Sequence, residues 1–125
     1  VNNQYQNGNF NTYKLEFEQL LQTAIARAGG RKERVFVISI PDWAYTPYGQ
    51  GYPGGPTPIS LKIDQYNAAN YSIAQQYQVH YSNITGISRQ GISQPDLVAS
   101  DGLHPSAEQY RQWVHLLMPV VQNAL

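Results

Sequence analysis

Arg34–Ile40 reads RVFVISI, a nearly continuous apolar run rich in β-branched residues and closed by Pro41. Such a run fits a strand buried on both faces of a parallel sheet, where the alternation of a half-exposed strand is lost. Val79–Ile84 (VHYSNI) reads as a second short strand. Each strand follows a segment of helical periodicity. Between Thr12 and Ala28, apolar residues from Tyr13 and Phe17 to Ile25 and Ala28 recur at steps of three and four, with Asn11 as N-cap and Gly29-Gly30 as stop. Ile59–Gln78 carries Ile63, Tyr66, Asn70, Ile73 and Tyr77 on one helical stripe. A last helix over Ser106–Ala124 opens with capping-box spacing at Ser106 and Gln109. Its stripe is Ala107, Tyr110, Val114, Leu117 and Val121, and Pro119 is expected to kink or end it.

Between these elements lie three irregular stretches. Residues 1–11 are Asn- and Gly-rich and read as loop. Residues 42–58 hold four of the eight prolines, with Trp43, Tyr45, Tyr48 and Tyr52 among them, and read as a long loop of the kind that often carries function. After the second strand comes a polar loop with Gly86 and Gly91, then a helical turn at Pro95 begun by Ser93. Helices alternating with buried-type strands imply an α/β fold with parallel strands. Two parallel strands are too few for a stable sheet, so the pattern resembles the second half of a larger α/β domain.

The chain of 125 residues has room for a single domain. Eight basic and eight acidic side chains cancel, which argues against a nucleic-acid partner, since such binders need excess positive charge. No apolar run approaches the ~18 residues of a membrane span, and no signal peptide is expected. Cysteine is absent, which excludes disulfides, thiolate metal sites and thiol nucleophiles. Only 13% of residues are charged, while Tyr supplies 10 of the aromatics against 3 Phe and 2 Trp. That polar, uncharged, Tyr-rich composition suits carbohydrate or other polar small molecules, and leans toward a secreted or periplasmic protein.

The chemistry is concentrated in Asp101-Gly102-Leu103-His104-Pro105-Ser106. An Asp three residues before a His, in a loop shaped by Gly and Pro, can fold its carboxylate onto Nδ1. That fixes the tautomer and leaves Nε2 as a general base. An ordinary loop His beside a turn-capping Asp is the competing interpretation. This block, followed by an amphipathic helix, resembles the C-terminal block of the SGNH (GDSL-type) hydrolases. VFVISIP (Val35–Pro41) and VHYSNI resemble that family's last two strands, and Val1-Asn2-Asn3 its G-x-N-D block, with Asn3 standing where the family has Asp.

The resemblance implies a three-layer α/β/α sandwich of flavodoxin-like type, with residues 1–125 as the C-terminal part of a single domain. It implies a serine esterase or acylhydrolase acting on a small-molecule or carbohydrate ester without metal or organic cofactor. Asp101 and His104 would belong to a Ser-His-Asp triad, and Asn2 would be an oxyanion donor. No serine of the chain sits in the G-D-S or G-x-S-x-G turn that exposes a nucleophile. The nucleophile is therefore expected on an N-terminal polypeptide half, the chain alone being inactive. Trp43, Tyr45 and Tyr48 are candidates for a substrate wall, since their loop follows a strand's C-terminal end. His80 and His115 show no metal-ligand spacing, and two glycosylation sequons begin at Asn70 and Asn83. The alternative is a non-catalytic α/β module that binds carbohydrate or protein through the Tyr-rich loop.

Overall fold

Two short strands pair in parallel at the centre of the chain. A computed structural model describes residues 1–125. Strand β1 (Phe36–Ile38) lies beside β2 (His80–Ser82), with Phe36 opposite His80, Val37 opposite Tyr81 and Ile38 opposite Ser82. Both are shorter than the apolar runs that foretell them. Lys32–Arg34 form a 3-10 turn before β1. At the other end the ladder continues one step, Ser39 N–H donating to the Ser82 carbonyl. It then stops because a side chain takes the place of a strand. Asn67 Oδ1 accepts from Ile40 N–H at 2.7 Å, and Asn67 Nδ2 donates back to the Ile40 carbonyl at 3.1 Å.

Helix α1 (Asn2–Tyr5) replaces the loop expected at the N-terminus. It forms because Gln4 and Tyr5 are held by distant partners: Gln4 Oε1 accepts from the Trp43 indole N–H at 2.7 Å, and Tyr5 stands edge-on to Trp43. Helix α2 (Phe10–Arg27) starts two residues earlier than the periodicity suggests. Asn9, not Asn11, caps it by accepting from Thr12 N–H, and Phe10 packs on Tyr66. Leu20, one of the apolar residues of the periodic run between Phe17 and Ile25, is exposed. Gly29 and Gly30 both take positive φ and stop the helix.

The long Pro-rich segment is partly ordered into a 3-10 turn (Trp43–Tyr45) and helix α3 (Pro47–Gln50), capped by Asp42 and Thr46. Helix α4 (Pro56–Tyr77) begins with Pro at its first position, where the missing N–H costs nothing. Helix α5 (Thr85–Ser88) stands where a loop was expected. The turn at Pro95–Leu97 forms, but Ser93 does not cap it; its hydroxyl donates to the Gln90 carbonyl. Helix α6 (Ala107–Ala124) is capped by Ser106 as expected and runs on through Pro119.

One face of the sheet is covered by α2 and α4, where Leu21, Val35, Val37, Ala74 and Val79 form a buried cluster. The other face is thinly covered. Phe36 and His80 stack there at 4.7 Å, and Ile38 is 43% exposed. Helix α6 is likewise open: Tyr110 and Val114 of its apolar stripe, and Met118 outside that stripe, are each about half exposed. A second cluster of Trp43, Ala44, Ile59 and Ile63 joins the segment after β1 to α4. The result is a helix-rich α/β arrangement around a small parallel sheet. No helix is long and apolar enough to cross a membrane. Asn70 is buried and accepts from the Tyr13 hydroxyl, so the first sequon is inaccessible in the folded chain.

Candidate active site

The loop that joins the Pro95–Leu97 turn to α6 is fixed by its own backbone. Ala99 N–H donates to the His104 carbonyl, Gly102 N–H to that of Ala99, and Ser106 N–H to that of Leu97. Gly102 sits at φ 73°, a conformation that costs other residues, and its carbonyl accepts from Tyr48 N–H. In this frame both oxygens of Asp101 face residues 103 and 104. Oδ1 accepts from Leu103 N–H and His104 N–H, each at 2.9 Å, and Oδ2 lies 2.6 Å from His104 Nδ1. Three donors on one carboxylate pull Asp101 down to about 2, the His104 and Leu103 amides first and the imidazole after them. With Nδ1–H donated to Asp101, the neutral ring carries its lone pair on Nε2.

His104 borders a cleft of about 250 Å³ whose lining also includes Asn2, Tyr5, Trp43, Leu103 and Pro105. Asn2, the first residue of α1, therefore shares a cavity with His104 although 102 positions separate them in the sequence. Of the three aromatic residues expected to form a wall, Trp43 lines the cleft. Tyr45 packs against the Trp43–Ile63 cluster, and Tyr48 lies outside the lining with its hydroxyl 3.1 Å from that of Tyr5. Tyr5 takes the position at the wall that sequence reasoning gave to the Pro-rich segment. Its only sequence signal is an aromatic residue three positions after Asn2.

Two aliphatic hydroxyls, the kind that could act as a nucleophile, line the same cleft, those of Thr46 and Ser88. Neither is free. Thr46 Oγ1 donates to the Trp43 carbonyl and accepts from Gly49 N–H. Ser88 Oγ donates to the Thr85 carbonyl and accepts from Asp42 N–H. Both are buried and serve as backbone caps rather than as partners of an imidazole.

Beneath the wall lies Asp42, 1% exposed. Its Oδ1 accepts from Ala44 N–H, and its Oδ2 from the Ser60 hydroxyl at 2.6 Å and Arg89 Nε at 2.9 Å. Arg89 also reaches Asp64 at 2.6 Å. This network ties the end of β1 to α4 and α5, and it was not foreseen from the sequence because its members are 18 to 47 residues apart.

No curated protein and no solved structure matches the chain. Residues 1–112 match the family described as GDSL-like Lipase/Acylhydrolase, a span that takes in α1, both strands and the Asp101–His104 loop. That match covers most of the chain, which belongs to the GDSL-like lipase/acylhydrolase family.

Proposed function

We propose that these residues supply the general base, its orienting acid and one oxyanion donor of a serine ester hydrolase. The observation that carries the reading is the Asp101–His104 geometry, with Asn2 across the same cleft. In the reaction a serine hydroxyl attacks an ester carbonyl while His104 Nε2 takes its proton. Asp101 holds the ring and stabilises the imidazolium. The Asn2 amide donates to the oxygen as negative charge develops on it. His104 returns the proton to the leaving alcohol. Water, activated by the same imidazole, then cleaves the acyl-enzyme. No step needs a metal or an organic cofactor.

The serine lies outside residues 1–125 in this reading. The occupied hydroxyls of Thr46 and Ser88 support that, as do two structural gaps. A parallel pair with both outer edges unpaired is short of neighbours, and the open stripe of α6 and exposed Ile38 are short of a cover. A segment adding parallel strands beside β1 or β2, and packing on α6, would complete a three-layer α/β/α sandwich and bring the nucleophile to His104. Residues 1–125 are then the C-terminal part of that single domain.

Labelling with a fluorophosphonate, which reacts with activated serines, tests this on protein from its native cells together with any co-purifying polypeptide. The expected adduct maps to a serine outside these 125 residues and is lost in His104→Ala. An adduct on Ser88 or another serine of this chain contradicts the reading. The occupied hydroxyls favour one alternative, a non-catalytic module. Binding of glycan or protein with no adduct and no ester hydrolysis would establish it.

A further inference from the structure

Ser106 and Gln109 have the spacing of a capping box, in which the side chain of the third helical residue accepts from the N–H of the cap. Only half of that box forms. Ser106 Oγ accepts from Gln109 N–H at 3.2 Å, but Ser106 N–H turns away and donates to the Leu97 carbonyl at 2.9 Å. The Gln109 carboxamide reaches the same carbonyl, Nε2 donating to it at 2.7 Å. A carbonyl only accepts, so Nε2 must be the atom that faces it. Oε1, without the donor that a closed capping box supplies, is buried and has no partner.

A buried acceptor left unpaired is costly. Gln109 is only 3% exposed, and an unbranched apolar side chain such as Met would fill its place without that cost. The second donor on Leu97 offsets it, and Leu97 occupies a particular position. Ser106 N–H on the Leu97 carbonyl, the bridge between Val98 and Pro105, and Ala99 N–H on the His104 carbonyl at 2.8 Å make a short antiparallel ladder. Asp101 and His104 lie at its far end, and Gln109 grips its base. The base is also where α6 begins, and Gln109 itself lines the His104 cleft.

The bonds of Asp101 orient the His104 ring within the loop, but they do not set where the loop stands against the cleft. We infer that Gln109 is a positioning residue: through the Leu97 carbonyl it locks the base of the Asp101–His104 loop to α6 and so fixes the place of the imidazole in the cleft. A catalytic group must be held to a fraction of an ångström by the shell behind it. The consequence for turnover rests on the hydrolase reading; the locking of the loop does not.

Two variants of the native protein separate locking from capping. Gln109→Met carries neither donor nor acceptor. Gln109→Glu cannot donate to Leu97 when ionised, but it can accept from Ser106 N–H and close the capping box, so α6 stays capped while the lock is lost. Amide hydrogen exchange is followed at Ala99, whose N–H is bonded to His104, and at Ile63 in the core of α4, which reports global unfolding. In both variants Ala99 is expected to exchange at least about tenfold faster relative to Ile63, and the His104 ring resonances to shift. With p-nitrophenyl acetate, kcat should fall about 10- to 100-fold while KM stays within about twofold. Unchanged exchange at Ala99 in both variants, acceleration only in step with Ile63, or unchanged kcat despite faster exchange overturns the positioning role. Should the unsubstituted protein hydrolyse no ester, the hydrolase reading falls, and Ala99 exchange with the His104 resonances still decides whether Gln109 places the ring.

Discussion

Asp101 holds His104 twice: Oδ2 lies 2.6 Å from Nδ1 of the ring, and Oδ1 accepts the N–H of the same residue's backbone at 2.9 Å. The side chain and the peptide of His104 are thus referred to one carboxylate. The ring cannot turn about its χ angles without losing the first bond, and the loop cannot shift without losing the second. The pair stands at the surface, so its rigidity comes from this closed local pattern rather than from burial.

The same geometry fixes how Asp101 titrates. Its carboxyl is held at about 2, with the two backbone amides as the largest causes and the imidazole third. A pKa lowered on folding adds stability above the unfolded value, and that stability is lost as pH falls through the folded one. For Asp101 the window runs from about 4 down to about 2. Carboxyl-carbon NMR should show a midpoint near the lower figure. In His104→Ala the midpoint should rise only part of the way to the ordinary value, because both amides remain. A full return would mean that the imidazole, not the loop, sets the charge.

The Asp42 network should behave differently, because that carboxylate is fully enclosed. Asp42→Ala removes the acceptor of Ala44 N–H, the Ser60 hydroxyl and Arg89 at once. Arg89 is one-third exposed and can recover water and Asp64, so the cost is held to about 2–3 kcal/mol. Urea unfolding should show a lower midpoint with an unchanged slope. A loss under about 0.5 kcal/mol would show that the network does not tie β1 to α4.

Gly49 is a position where no side chain fits. A Cβ there would overlap the Trp43 carbonyl oxygen and come within 2.8 Å of Ala44 Cα, both backbone atoms that cannot rotate away. Gly49→Ala should therefore destabilise by about 1–3 kcal/mol and displace Trp43 from the cleft wall. Near-ultraviolet circular dichroism of the tryptophans reports the displacement. Gly54→Ala is the control for steric contact, since nothing lies within 4 Å of its added Cβ, although its φ of 91° carries a strain cost of its own. An unchanged tryptophan spectrum in Gly49→Ala would contradict the placement of Trp43.

What was legible in the sequence is what local pattern controls. The β-branched run before Pro41 and its counterpart before Asn83 do pair in parallel, and Ser106 does cap α6. The Asp101–His104 spacing brings the two side chains together because the intervening Gly-Leu closes a turn. What escaped is what distant contacts control. Residues 2–5 carry no helical periodicity, and α1 exists because Trp43 takes up Gln4 and Tyr5. Strand β1 is cut short by Asn67, 27 positions on from Ile40. The stripe on α6 was read correctly as apolar, yet its Tyr110 and Val114 face outward because nothing in these residues covers them.

The most direct test is the effect of His104→Ala on hydrolysis of p-nitrophenyl acetate by the native enzyme, with Asp101→Asn alongside. The expected result is that kcat/KM falls by roughly 10³-fold or more in His104→Ala, and by roughly 10²–10⁴-fold in Asp101→Asn, with each variant still folded. Turnover by His104→Ala within about twofold of the unsubstituted protein would mean that this imidazole is not the base, and the hydrolase reading would fall with it.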